Sequence, residues 1–255
     1  MLRHVALALA LALAPLLAAG NAPADTAPHQ DAPALAEALS ADASASRDNT
    51  AFLPPPPETG SPHFLYDEAM YREGLSLRDT ERGRQAARDA TAGMPEVFSE
   101  AFGCVLSEEN TPEILALLAR LRGKAGGLSV KEAKKKYARV RPYVFYNAAT
   151  CLPGQEKRKR AGASYPSGHS TKGWATALVL AEINPQRREQ IMRRGYEFGQ
   201  SRVICGYHWQ SDVDAGRLVG AAAVAFLHAD AGFQAQLHKA REEFARLQRE
   251  GRVAR

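Results

Sequence analysis

Long apolar runs are scarce in this 255-residue chain. Val5 to Leu17 is interrupted by Pro15 and falls short of the ~20 apolar residues that a spanning helix needs. Leu218 to Leu227 is shorter still and rich in small side chains, which fits a buried helix better than a membrane span. Alternating strand patterns are nearly absent, and what remains is helical, so the expected fold is all-α. Cysteine is also sparse. Cys104, Cys151 and Cys205 allow at most one intrachain bridge, which excludes a disulfide scaffold. No compact set of Cys, His and carboxylate residues stands at zinc-ligand spacing, so neither a metal nor another cofactor is expected. There is no long basic tail and no interleaving of aromatic with basic residues, which argues against nucleic acid as a partner. Nor is there an internal repeat.

What is present has a clear order. Arg3 and His4, the apolar run to Leu17 and the small Ala18, Ala19 and Gly20 read as a signal peptide, residues 1–20, with cleavage near Gly20 or Ala24. Export to the periplasm follows as the expectation. The formal charge of +5 drops by one with Arg3 and still favours anionic ligands in a general way. Residues 21–50, rich in Ala, Asp, Ser and Pro, offer little apolar surface to offset the entropy of ordering and read as a mobile leader. Pro54 to Pro57 read as a stiff extended spacer at the entry to a single folded domain, residues 51–250, large enough to bury its own core.

Helical patterns begin at Thr80. Thr111 and Pro112 start a helix whose Ile114, Leu117, Leu118 and Leu121 face a core until Gly123. Ser129 and Glu132 match a capping box, opening a helix towards Arg141 and Pro142. Trp174, Ala177, Leu178 and Ala181 form an apolar stripe ended by Asn184 and Pro185. Further helices are expected over 187–199, 211–228 and 233–249.

Three constellations carry chemistry. Tyr165, Pro166, Ser167, Gly168 and His169 precede the Trp174 helix, where unpaired amides and a glycine can cradle an oxyanion; the same residues also suit an ordinary turn. Lys134 and Arg141, seven apart on one helix, would lie on nearly the same face and converge on one anion, although Lys131, Lys135, Lys136 and Arg139 nearby suggest a solvated run. Ser201 and Arg202 are followed by His208 and Asp212. If the Asp212 helix begins by His208, the i,i+4 carboxylate could hold one imidazole nitrogen and present the other as a nucleophile, or the two could form only a structural pair.

Together, Lys134-x6-Arg141-Pro142, Pro166-Ser167-Gly168-His169 and Ser201-Arg202-x5-His208-x3-Asp212 resemble the signature of the type 2 phosphatidic acid phosphatase superfamily, which includes vanadium haloperoxidases. Phe52 to Pro57 and the run Ser201 to Asp212 are closer still to the bacterial class A nonspecific acid phosphatases. The resemblance covers about residues 51 to 250. It implies a single-domain helical bundle that hydrolyses phosphomonoesters through a phosphohistidine without a metal, and it admits phosphoryl transfer to other acceptors. On the matching positions Lys134, Arg141, Ser167, Gly168 and Arg202 would bind phosphate. His208 would attack phosphorus, His169 would protonate the leaving oxygen and Asp212 would orient His208. The resemblance also admits a homodimer or larger assembly.

Cys205 lies three residues before His208, and Cys151 lies in the loop before the Ser167 cradle. That placement favours a Cys151–Cys205 bridge with Cys104 left free as a buried small residue. Two other functions fit parts of the pattern. A vanadate-dependent haloperoxidase would use the same signature, and a periplasmic phosphate-binding module would need only the cations, leaving both histidines and Asp212 without a purpose.

Overall fold

The computed structural model describes residues 49–123, 129–154, 156 and 162–254. The signal peptide and nearly all of the expected leader lie outside them. Among the described residues the regular structure is helical, as the missing strand patterns require. After a 3-10 turn at Asn49–Ala51 come α1 (Pro62–Ser76), α2 (Glu81–Asp89), α3 (Met94–Phe102), α4 (Pro112–Gly123), α5 (Ser129–Tyr137) and the single turn α6 (Pro142–Phe145). They are followed by α7 (Gly168–Ile183), a 3-10 turn at Pro185–Arg187, α8 (Arg188–Ile204), α9 (Gln210–Leu227) and α10 (Ala231–Arg249).

Local chemistry starts most of these helices. The Ser61 hydroxyl accepts from the Phe64 amide with Pro62 in the first turn, and Thr80 accepts from Gly83. These are the preferred N-cap arrangements. The Ser61–Pro62 signal is therefore present in the sequence, yet α1 lies ahead of the region read as helical. For α4 the cap is supplied from afar. Glu243, buried on α10, accepts from the Glu113 and Ile114 amides, so a distant carboxylate satisfies donors that the helix start leaves open.

The centre of the bundle is α7, packed against α8 on one side and α9 on the other. Its Ala175, Ala177, Val179 and Leu180 are fully buried, whereas Trp174, Leu178 and Ala181 of the expected stripe are only partly so. A one-sided stripe is the pattern of a surface helix; α7 is enclosed nearly all round, so its apolar residues do not confine themselves to one face. Phe98, Phe102, Ile114, Leu117, Phe198 and Phe233 complete the main core, each large side chain contributing on the order of 1.5–3 kcal/mol by leaving water. The close approach of α9 to the first turn of α7 depends on Gly216 and Gly220. A Cβ at Gly216 would stand 2.6 Å from the Ser167 carbonyl oxygen, and one at Gly220 would stand 2.7 Å from that of Thr171.

Three expectations are corrected by the tertiary structure. The α5 helix stops at Tyr137, Ala138 takes a left-handed φ of 42°, and Arg141 is extended with ψ 151°. Lys134 and Arg141 thus do not share a helix face. Pro142 bars its predecessor from the helical region. The helix after Pro185 continues to Ile204, beyond the expected Gly199. Pro54 to Pro57 are not a free spacer. Leu53 is buried with Val130, Tyr165, Ala215 and Val219, and the Tyr165 hydroxyl donates to the Pro54 carbonyl at 2.6 Å.

No single helix among the described residues is long and apolar enough to cross a membrane; α9 and α10 reach that composition only as a pair bent by 95°.

Candidate active site

The site forms where the start of α7, the end of α8 and the start of α9 meet. After Ile204 the chain turns back on itself. Gly206, at φ 72°, permits that reversal, a conformation other residues resist. The Tyr207 and His208 amides then donate to the Arg202 carbonyl at 3.0 and 3.3 Å, and the Tyr143 amide donates to Gly206 at 3.2 Å. His208 is thereby pinned beside α6. The Ser167 amide donates to the Asp212 carbonyl at 2.9 Å, which ties the α7 cradle to α9.

His208 is 3 % exposed. Its Nε2 lies 3.0 Å from Nη1 of Arg141. Arginine has no acceptor, so Nε2 must offer its lone pair and the ring proton of the neutral imidazole must sit on Nδ1. Nδ1 faces Oδ2 of Asp212 and Oγ of Ser164, each at 3.4 Å. Burial first, and then the charges of Arg141, Lys134 and Arg202, hold the His208 pKa well below 6.5. Both effects favour the neutral imidazole, with the lone pair on Nε2.

Three cations converge on this ring from separate elements. Lys134 reaches in from α5 and donates to the Ala163 and Ser164 carbonyls at 2.7 and 3.1 Å. Burial, aided by Arg141, lowers its pKa to about 7. Arg141, the N-cap of α6, donates to the carbonyls of Gly162, Ala163 and Tyr207. Arg202 is 1 % exposed and lies on the Tyr207 ring, 4.4 Å from its centroid. Its Nε and Nη1 find no hydrogen-bond partner among the described residues. Burial lowers its pKa to about 10. A buried guanidinium with open donors is costly unless an anion occupies the space before it.

At the start of α7, Ser167 is the N-cap, fully buried, and its Oγ accepts from the Ser170 amide and hydroxyl at 3.3 and 2.9 Å. Its own proton is left to donate. Gly168 opens the helix, where first-turn amides point outward. The peptide bond between Tyr165 and Pro166 is cis. His169 follows, partly exposed, its ring stacked on Phe198 at 6.3 Å.

Asp212 is close to His208, but not by the helical contact expected. The α9 helix begins at Gln210 with Trp209 as its N-cap, so His208 stands outside it. Asp212 Oδ2 instead accepts from the Trp209 amide at 2.8 Å and the Ser164 hydroxyl at 2.5 Å, and Oδ1 from Arg139 at 2.7 Å. Arg139 and Ser164 were not singled out by the sequence. Arg139 sits in a basic run whose Lys131, Lys135 and Lys136 are exposed, as such runs usually are. Its own side chain is 8 % exposed and paired with two aspartates, a difference no local pattern records.

Cys151 and Cys205 form a disulfide, and Cys104 is free and partly buried. The bridge links the loop after α6 to the turn carrying His208. Arg78 reinforces the same junction by donating to the Ile204 and Ala149 carbonyls, each at 2.8 Å.

Residues 115–234 match the PAP2 superfamily. The chain is 55 % identical over 205 residues to a non-specific acid phosphatase of Providencia stuartii, covering 79 % of this chain and 83 % of that protein. It is 45 % identical over 195 residues to a non-specific acid phosphatase of Salmonella typhimurium, covering 75 % and 78 % of the two chains. An acid phosphatase of Zymomonas mobilis is 35 % identical over 196 residues, covering 75 % and 74 %.

Proposed function

The chain belongs to the PAP2 superfamily and, within it, to the class A nonspecific acid phosphatases, and from that premise we propose that it hydrolyses phosphomonoesters through a phosphohistidine on His208. The observation that carries the mechanism is the buried Arg202 with two open donors, set beside a neutral imidazole whose Nε2 carries a lone pair. Lys134, Arg141 and Arg202 bind the nonbridging oxygens, with the Ser167 hydroxyl and the Gly168 amide completing the cradle. Arg141 exchanges its contact with Nε2 for a phosphoryl oxygen when substrate arrives. Nε2 then attacks phosphorus, and the bond to the leaving oxygen breaks with its electron pair going to that oxygen. His169 supplies the proton and afterwards draws one from the water that releases phosphate. Positioning and charge neutralisation are the main requirements of phosphoryl transfer, and cations with helix-end amides meet them without a metal.

The signal-like residues 1–20 support export and a periplasmic site of action. Apart from His169, which would meet the leaving oxygen, the motif residues are assigned to the phosphoryl group, which supports a broad range of leaving groups.

Rapid mixing with p-nitrophenyl phosphate tests the two histidines. His208→Ala should form no phosphoenzyme. His169→Ala should release a burst of nitrophenol, because that leaving group scarcely needs a proton, and then turn over slowly with acid-labile phosphate retained on His208. Phosphate mapped to His169, or a burst from His208→Ala, overturns the assignment.

A further inference from the structure

Asp212 is not a lone anion behind His208. Its Oδ1 receives Nη1 of Arg139 at 2.7 Å, and Nη2 of the same guanidinium reaches Oδ2 of Asp67 at 2.7 Å. Asp67 projects from α1, is fully buried, and also accepts from the Ser211 amide at 2.8 Å and the Ser211 hydroxyl at 2.6 Å. The two carboxylates and one guanidinium are all sealed from solvent or nearly so.

Resting on the His208 reading, we infer that Asp67 is a positioning residue for the reaction, supplying through Arg139 and Asp212 the net negative charge that backs His208. Arg139 by itself would cancel the charge of Asp212. With Asp67 the cluster carries one net negative charge, held on the Nδ1 side of the ring. When Nε2 bonds to phosphorus and the leaving oxygen departs, the imidazole becomes cationic and keeps its proton on Nδ1. Arg141, Lys134 and Arg202 oppose that charge from α6, α5 and α8, and Asp212 is the anion that approaches from α9. A net anion behind the ring stabilises what the three cations disfavour.

A purely structural reading makes Asp67 a tether between α1 and the start of α9. The charge count separates the two. Asp67→Asn leaves the cluster neutral, whereas Asp67→Asn with Arg139→Met leaves Asp212 alone and restores one negative charge. Phosphoenzyme formation from p-nitrophenyl phosphate would be timed by rapid quench in each variant, with the inhibition constant of inorganic phosphate measured alongside. Asp67→Asn should slow phosphorylation roughly tenfold or more without raising that constant, because the site has become more positive. The double variant should recover most of the lost rate. A double variant slower than Asp67→Asn, or phosphate binding that weakens in step with the rate, would overturn the inference. If Asp67→Asn does not fold, Asp67→Glu takes its place. Keeping the charge, it should stay within about threefold of wild type, and a tenfold loss would count against a charge role. Phosphate recovered on a residue other than His208 would instead refute the reading beneath it.

Discussion

Replacing Arg202 by Met should separate stability from activity. The guanidinium is 1 % exposed, and its Nε and Nη1 have no partner among the described residues. Burial lowers its pKa to about 10, the direction expected when keeping the charge in the interior is costly. Two open donors, at about 1–3 kcal/mol each, describe the same penalty from the hydrogen-bonding side. Methionine has similar reach, keeps a favourable sulfur contact with the Tyr207 ring and needs no partner. Without phosphate, Arg202→Met should be more stable than wild type by about 1–3 kcal/mol in urea denaturation. At phosphate a hundredfold above its dissociation constant, wild type should gain about 2.7 kcal/mol and the variant almost nothing. The loss in kcat/KM should be about 10²- to 10³-fold, comparable with removing an oxyanion donor. A variant destabilised by about 2 kcal/mol or more in the absence of phosphate would refute the reasoning, since that is the signature of a broken buried pair.

Lys134, with its pKa lowered to about 7, is charged below that pH and neutral above it. Sulfate remains a dianion throughout, so its competitive inhibition constant should rise by up to about tenfold per pH unit above 7, and Lys134→Arg should flatten the profile; an equally steep rise in the variant would dismiss Lys134 as the cause. Folding carries the opposite sign, because a buried lysine with a lowered pKa withdraws stability as pH falls from 10.5 to about 7. Reducing the Cys151–Cys205 bridge, which spans 54 positions, should cost about 4 kcal/mol in the chain-entropy description, and an unchanged melting temperature under reductant would contradict it. Activity should survive dialysis against EDTA; a loss restored by stoichiometric zinc or magnesium would show that the cations do not act alone.

The residues of the candidate site were readable because their spacing is carried by short segments. Ser167, Gly168 and His169 are consecutive, and Arg202 to Asp212 span the end of one helix, one turn and the start of the next. Their types announce the chemistry before any fold is known. The helix boundaries near proline were readable for the same local reason. Thr111–Pro112 and Asn184–Pro185 mark real ends, and Ser61–Pro62 would have marked another.

Local pattern failed where the decisive neighbour is distant in sequence. Arg139 looks like its solvated lysine neighbours until α1 and α9 bring Asp67 and Asp212 to its two amino groups. The Glu243 cap on α4 crosses some 130 positions. The His208–Asp212 spacing suggested a helical contact, but the helix starts after His208, and proximity comes instead from the turn at Gly206 and from Ser164. The sequence by itself determined an all-α chain and singled out the three segments that meet around His208, because period, capping and motif spacing are local properties. Only the tertiary structure decided which nitrogen of His208 faces Arg141, that Arg202 is buried with open donors among the described residues and which charged side chains stand behind the ring. Those depend on burial and on contacts between elements far apart in the chain, where desolvation turns ordinary side chains into strongly interacting ones.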